Sequence, residues 1–109
     1  MSTAWKDLER RVATALGGRR AGPMGAAVSD CVGVPWSVEC KRTTRYQLRR
    51  DWLDQARRQG KAEGNPWVLV IAEHGDRNPV AVLDFREFVR LTQPTERTEL
   101  TNDQLSLEG

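Results

Sequence analysis

The stretch Val28-Ser29-Asp30-Cys31-Val32-Gly33-Val34-Pro35-Trp36-Ser37-Val38-Glu39-Cys40-Lys41-Arg42 contains two runs of β-forming residues, 28–33 and 36–42, broken at Val34-Pro35. Runs of this composition read as strands, so the spacing predicts a hairpin. Proline at the second loop position is unfavourable for the common two-residue turns, which leaves loop length and register open. With a two-residue loop, Gly33 pairs with Trp36 and Asp30 with Glu39. Strand alternation then puts Ser37, Glu39 and Lys41 on one face and Trp36, Val38 and Cys40 on the other.

Helices are expected on both sides of this hairpin. Trp5, Leu8, Val12, Ala15 and Leu16 share one face at helical spacing, Ser2 or Thr3 can cap that helix, and Gly17-Gly18 can end it. The segment 17–27, with four glycines, a proline and Arg19-Arg20, reads as a mobile basic loop. Leu48, Trp52 and Ala56 predict a second helix over 45–59 with Gly60 as its stop and a basic outer face of Arg49, Arg50, Arg57 and Arg58. Two apolar runs of strand length follow, 67–73 and 79–84, the first with the continuous apolar character of a central strand. Residues 85–91 suit a short helix. The order is therefore α-β-β-α-β-β with a possible terminal helix, an α/β domain in which helices flank a mixed sheet. Residues 1–92 form one domain on this reading, and 93–109 a polar, acidic C-terminal tail.

Composition narrows the function classes. Of 109 residues, 17 are basic and 15 acidic, and the longest apolar run, 66–72, falls far short of the roughly 20 residues a membrane helix needs. The N-terminus has no signal-peptide pattern, so a cytoplasmic protein with no membrane partner is expected, or one of the host cytoplasm if phage-encoded. Two cysteines and one histidine cannot build a structural zinc site. Cys31 and Cys40 read as core thiols, and His74 as structural or exposed. Charge is unevenly distributed: residues 1–66 carry 13 basic and 7 acidic groups, and 67–109 carry 4 and 8. Arginine outnumbers lysine fourteen to three, and its planar fork of donors suits phosphate, so the basic half points to a nucleic-acid partner. Arg19, Arg20, Arg42, Arg45, Arg49 and Arg50 are the expected phosphate contacts, which would position DNA without reading its sequence.

Polar residues interrupt the apolar faces. At about 100° per residue from Trp5, Glu9 lies near 40°, inside the apolar stripe of the first helix, and Gln55 is in the same position on the second. Taken singly, each reads as a stripe edge whose side chain snorkels to water, and Glu39 with Lys41 as a solvated strand face. On the hairpin register, however, Asp30 and Glu39 converge, and like charges directly opposite in a sheet call for a bridging cation. Hard oxygen ligands of this kind suit Mg²⁺ or Mn²⁺.

A helix carboxylate, an Asp, a Glu-x-Lys on a hairpin and an inward Gln on the next helix, in this order, resemble the PD-(D/E)xK nuclease superfamily. Within it the chain looks most like the small archaeal-type Holliday junction resolvases and their phage relatives. The resemblance covers about residues 5–85, with Ser29 where a proline often precedes the first Asp. It implies a restriction-endonuclease-like fold and a Mg²⁺- or Mn²⁺-dependent endodeoxyribonuclease acting on branched DNA. It further implies that Asp30, Glu39 and the backbone carbonyl of Cys40 ligate the metal, with Glu9 completing the site. Lys41 would orient or deprotonate the attacking water and offset phosphate charge, and Gln55 would hold the site from its helix. Two symmetric cuts on a junction imply a homodimer, with 67–72 or 85–91 as the interface. A nicking or restriction-like nuclease on duplex or single-stranded DNA is the alternative with the same site, and a non-catalytic basic DNA-binding module is the alternative without it.

Overall fold

The computed structural model describes residues 4–22, 29–75 and 77–93. The expected caps Ser2 and Thr3, Val28 with most of the expected basic loop, and the tail 94–109 lie outside the described residues. The elements are α1 (Ala4–Ala15), β1 (Arg19–Arg20), β2 (Cys31–Val32), β3 (Ser37–Thr43), α2 (Arg50–Glu63), β4 (Trp67–Glu73), β5 (Val80–Leu83) and α3 (Phe85–Thr92). Among the described residues no helix is long and apolar enough to cross a membrane.

A three-stranded mixed sheet, ordered β3-β4-β5, carries the fold. β3 runs parallel to β4, in register from Ser37 opposite Trp67 to Thr43 opposite Glu73, and β5 is antiparallel to β4. Parallel neighbours need a long crossover, and the segment containing α2 supplies it. β4 is buried on both faces, which is why its sequence is a continuous apolar run rather than an alternating one. Val68, Val70 and Ala72 pack with Val38 of β3 and with Leu8, Val12 and Ala13 of α1. Leu69 and Ile71 turn to the other side and pack with Ala56, Trp52 and Tyr46 from α2 and its approach. Helices thus cover both faces of the sheet.

Four expectations are corrected. The stretch 28–42 is not a hairpin: β2 is only two residues long and pairs antiparallel with β1, Arg20 opposite Cys31, while β3 takes its ladder from β4. Four bent residues from Gly33 to Trp36, including Pro35, separate β2 from β3, so no tight turn sets a two-strand register. Arg19 and Arg20 belong to a strand rather than to a mobile loop. The second helix starts and ends later than the pattern 45–59. Gly60 lies inside it, because a Cβ there would stand 2.9 Å from the Asn65 carbonyl oxygen and 3.0 Å from Trp67 Cβ. The stop is Gly64, whose φ of 70° is left-handed and whose N–H closes on the Lys61 carbonyl. The position of β4 also removes 67–72 as an interface, since a central strand covered on both faces has no surface to offer.

Candidate functional site

Alternation along β3 sorts its side chains. Val38 and Cys40 join the core under α1, and Ser37 and Glu39 turn toward α2. Glu39 is buried, 4 % exposed, and accepts a hydrogen bond at Oε1 from Gln55 Nε2 of α2 at 3.1 Å. The inward polar residue of the second helix therefore meets the carboxylate of the strand.

Asp30 reaches the same place by another route. Its backbone N–H donates to the Val38 carbonyl at 2.8 Å, and its Oδ2 accepts from the Cys40 N–H at 2.7 Å. These bonds bracket Glu39, so the two carboxylates become neighbours although their strands form no ladder. Burial pushes the Asp30 carboxyl up to about 6 against the lowering effect of the Cys40 N–H, with the Glu9 charge adding to the rise and the Lys41 and Arg20 charges opposing it. Glu39 is pushed up to about 8, first by burial and then by the Asp30 charge. Lys41 opposes this, and the Glu63 and Glu9 carboxylates add to it. Lys41 thus acts on both acids through its field, beyond the 4 Å of an ion pair.

Glu9 sits at the inner face of α1 as its angular position implies, and its Oε1 accepts from Arg20 Nε at 2.8 Å. That largely buried pair fixes β1 against α1. It also holds Glu9 to a cation of the chain itself, and Arg20 is engaged in turn. Among the described residues, no three His, Cys, Asp or Glu side chains stand close enough to hold one metal ion together. The donors that fit a hard cation are Asp30 and Glu39: among the described residues Asp30 Oδ1 and Glu39 Oε2 accept no hydrogen bond, and the Asp30 charge raises the Glu39 carboxyl. Buried carboxylate oxygens without donors are the atoms a divalent cation satisfies.

The other expected contacts divide. Arg49 pairs with Asp51 and lies over the Trp52 ring at 5.6 Å, and Arg50 pairs with Asp54. Arg19, Arg42 and Arg45 form no ion pair among the described residues, and Arg42 follows Lys41 on β3. Cys31 is buried and Cys40 half-buried in one core, both as free thiols. Their mutual hydrogen bond lowers the Cys31 thiol and raises that of Cys40. His74 is exposed at the end of β4.

One residue of the cluster was not foreseen. Glu63, in the last turn of α2, accepts from Ser37 Oγ, from Gln59 Nε2 at 2.8 Å and from the Ser29 N–H at 3.1 Å. Burial raises its carboxyl, and these three donors together outweigh burial and leave it lowered. Glu63 thereby ties the residue before Asp30 and the residue two before Glu39 to one helix. Its signal was present: Gln55, Gln59 and Glu63 recur every four residues, a polar seam along α2. No protein-family model, curated protein or solved structure matches this chain.

Proposed function

We propose that this chain is a metal-dependent endonuclease of the PD-(D/E)xK type that hydrolyses phosphodiester bonds in DNA, with branched DNA as its substrate. The observation that carries the reading is the convergence of Asp30 and Glu39, each with an oxygen that accepts no hydrogen bond among the described residues, under the field of Lys41 and the clamp of Gln55. Two mutually repelling carboxylates in a half-dry site make no sense as packing, since removing either would relieve burial and repulsion together. As cation ligands they do.

In this mechanism Asp30, Glu39 and the Cys40 carbonyl would hold Mg²⁺ or Mn²⁺. Such an ion would supply the Lewis acidity that phosphodiester hydrolysis needs. The chain's own groups do the rest. Lys41 offers its ammonium to the non-bridging phosphate oxygens as charge develops on them. Gln55 fixes the Glu39 carboxylate from outside, and the Cys40 N–H fixes that of Asp30, so neither ligand has to reorganise. The Glu9–Arg20 pair borders the site, and Arg20 lowers the neighbouring Asp30 through its charge. Arg19, Arg42 and Arg45, which form no ion pair among the described residues, would contact the DNA backbone.

The test is a cleavage assay on a labelled four-way junction with Mg²⁺ or Mn²⁺, beside linear duplex, single-stranded and flap DNA. Paired nicks on the junction that vanish in Lys41→Ala and Asp30→Asn, with binding retained, support the whole reading. Cutting of linear DNA without junction preference keeps the site and changes the substrate. Tight binding with no cutting under either ion refutes the nuclease and leaves a basic DNA-binding module.

A further inference from the structure

The chain has two cysteines, and the fold brings them together. Cys31 is buried on β2, Cys40 is half-buried on β3, and both are free thiols packed in the core cluster beneath α1. The backbone dictates this meeting. The Asp30 N–H donates to the Val38 carbonyl at 2.8 Å, and Asp30 Oδ2 accepts from the Cys40 N–H at 2.7 Å. Residue 31 is thereby carried alongside residues 38–40, although β2 and β3 belong to different sheets. The Cys40 S–H donates to the Cys31 Sγ.

Packing alone does not call for sulfur here. A core thiol is a small apolar filler distinguished by its reactivity rather than its volume. Elsewhere in the same cluster that filling is done by Ala13, Val38 and Ala72, which carry no reactive group. β2 is also weakly secured, being two residues long and paired with a strand of two residues. Beside it lies an open groove of about 380 Å³, lined by Ser29, Cys31, Gly33, Trp36 and Glu63 among others, through which a small polar oxidant can approach the pair.

We propose that Cys31 and Cys40 are a modification site, which a peroxide converts into an intramolecular disulfide stapling β2 to β3. Hydrogen peroxide oxidises one thiol to a sulfenic acid, its O–O bond breaking and one water leaving. The second thiol attacks that sulfur, the S–S bond forms, and the sulfenic oxygen leaves as a second water. Two thiols and one peroxide thus give one disulfide and two waters, and an added dithiol reverses the step by exchange. In a reducing compartment such bridges are transient and serve redox sensing. Asp30 and Glu39 each immediately precede one of the two sulfurs, so the staple limits how far the two carboxylates can part. The chemistry of the thiols is independent of what those carboxylates bind.

The test uses the full chain, reduced, freed of reductant and treated with hydrogen peroxide in the absence of metal and DNA, then alkylated in denaturant and weighed. The expected product is a monomer about 2 Da lighter than the reduced chain, with both cysteines closed to alkylation, a cross-linked peptide joining residues 31 and 40, and recovery of both thiols by dithiothreitol. Because the bridge joins groups already in contact, the oxidised protein should melt about 5 °C or more above the reduced one. Cys31→Ser and Cys40→Ser should each abolish both the mass loss and the gain in melting temperature. A wild type whose two thiols stay open to alkylation after peroxide would overturn the proposal. So would bridges only between chains, cysteines that gain oxygen without a bridge, or an oxidised form that melts below the reduced one.

Discussion

Replacing Glu39 by Gln should abolish metal-dependent cutting and, in the absence of metal, make the protein more stable. The native carboxyl is raised from 4.5 to about 8 by burial and by Asp30. Between those two values the unfolded chain binds fewer protons than the folded one, so the stability of the wild type falls as pH rises through this window. The loss is complete only above the native pKa. At ~1.4 kcal/mol per unit the full displacement is worth at most about 5 kcal/mol, and relaxation around the buried charge brings the expected loss to about 2–3 kcal/mol. Gln keeps the shape and can still accept from Gln55, but it has no proton to lose. In thermal melts with EDTA, the variant should therefore melt with the wild type near pH 4.5 and about 10–20 °C above it at pH 8.5, taking ~4–8 °C per kcal/mol for a small domain. The same offset at both pH values would refute the reasoning, because the gain would then owe nothing to ionisation. So would a variant less stable at pH 8.5.

Two further outcomes follow from the packing. Gly60→Ala should lower stability by about 1–3 kcal/mol in chemical denaturation, because its methyl group meets the Asn65 carbonyl and Trp67 Cβ at about 3 Å in backbone that cannot yield. Gly64→Ala serves as the contrast: no atom lies within reach of its Cβ, so any loss there reflects the left-handed φ alone. Glu63→Ala should cost about 2 kcal/mol by stranding the buried Ser37 hydroxyl and the Ser29 N–H, with Glu63→Gln recovering part of it.

Much of this architecture was legible wherever one segment's own pattern determines its state. Residues 67–73 announce a strand buried on both faces, and β4 has those bounds. Pairing partners were not legible. Apolar alternation says that 36–42 is extended, but a strand beside a near neighbour and a strand beside one far along the chain look alike, and the sheet joined Ser37 to Trp67 rather than to Val32. The meeting of Asp30 and Glu39 was nevertheless anticipated, through a ladder that does not exist. The actual agent is the Asp30 backbone and side chain gripping Val38 and Cys40 on either side of Glu39. Glu63 was missed because Gly60 reads as a stop, and a helix ended there never reaches residue 63. A glycine required by close approach and one required by a left-handed turn cannot be told apart without the neighbour that presses on the first. Arg20 looked like a phosphate contact because its partner, Glu9, lies on a different element.

The parallel ladder of β3 and β4 fixes when the site can exist during synthesis. Every pairing in it joins residues 30 positions apart, from Ser37 with Trp67 to Thr43 with Glu73. A nascent chain emerging as far as Gly60 already carries Glu9, Asp30, Glu39, Lys41 and Gln55, yet β3 has no neighbour to hold it and Leu69 and Ile71 are not there to seat α2. Such long-range pairs close late, after the entropy of the intervening loop has been lost. The basic half of the chain therefore leaves the ribosome as an arginine-rich segment able to meet polyanions, and its carboxylates come together only when the seven residues of β4 arrive between the two helices.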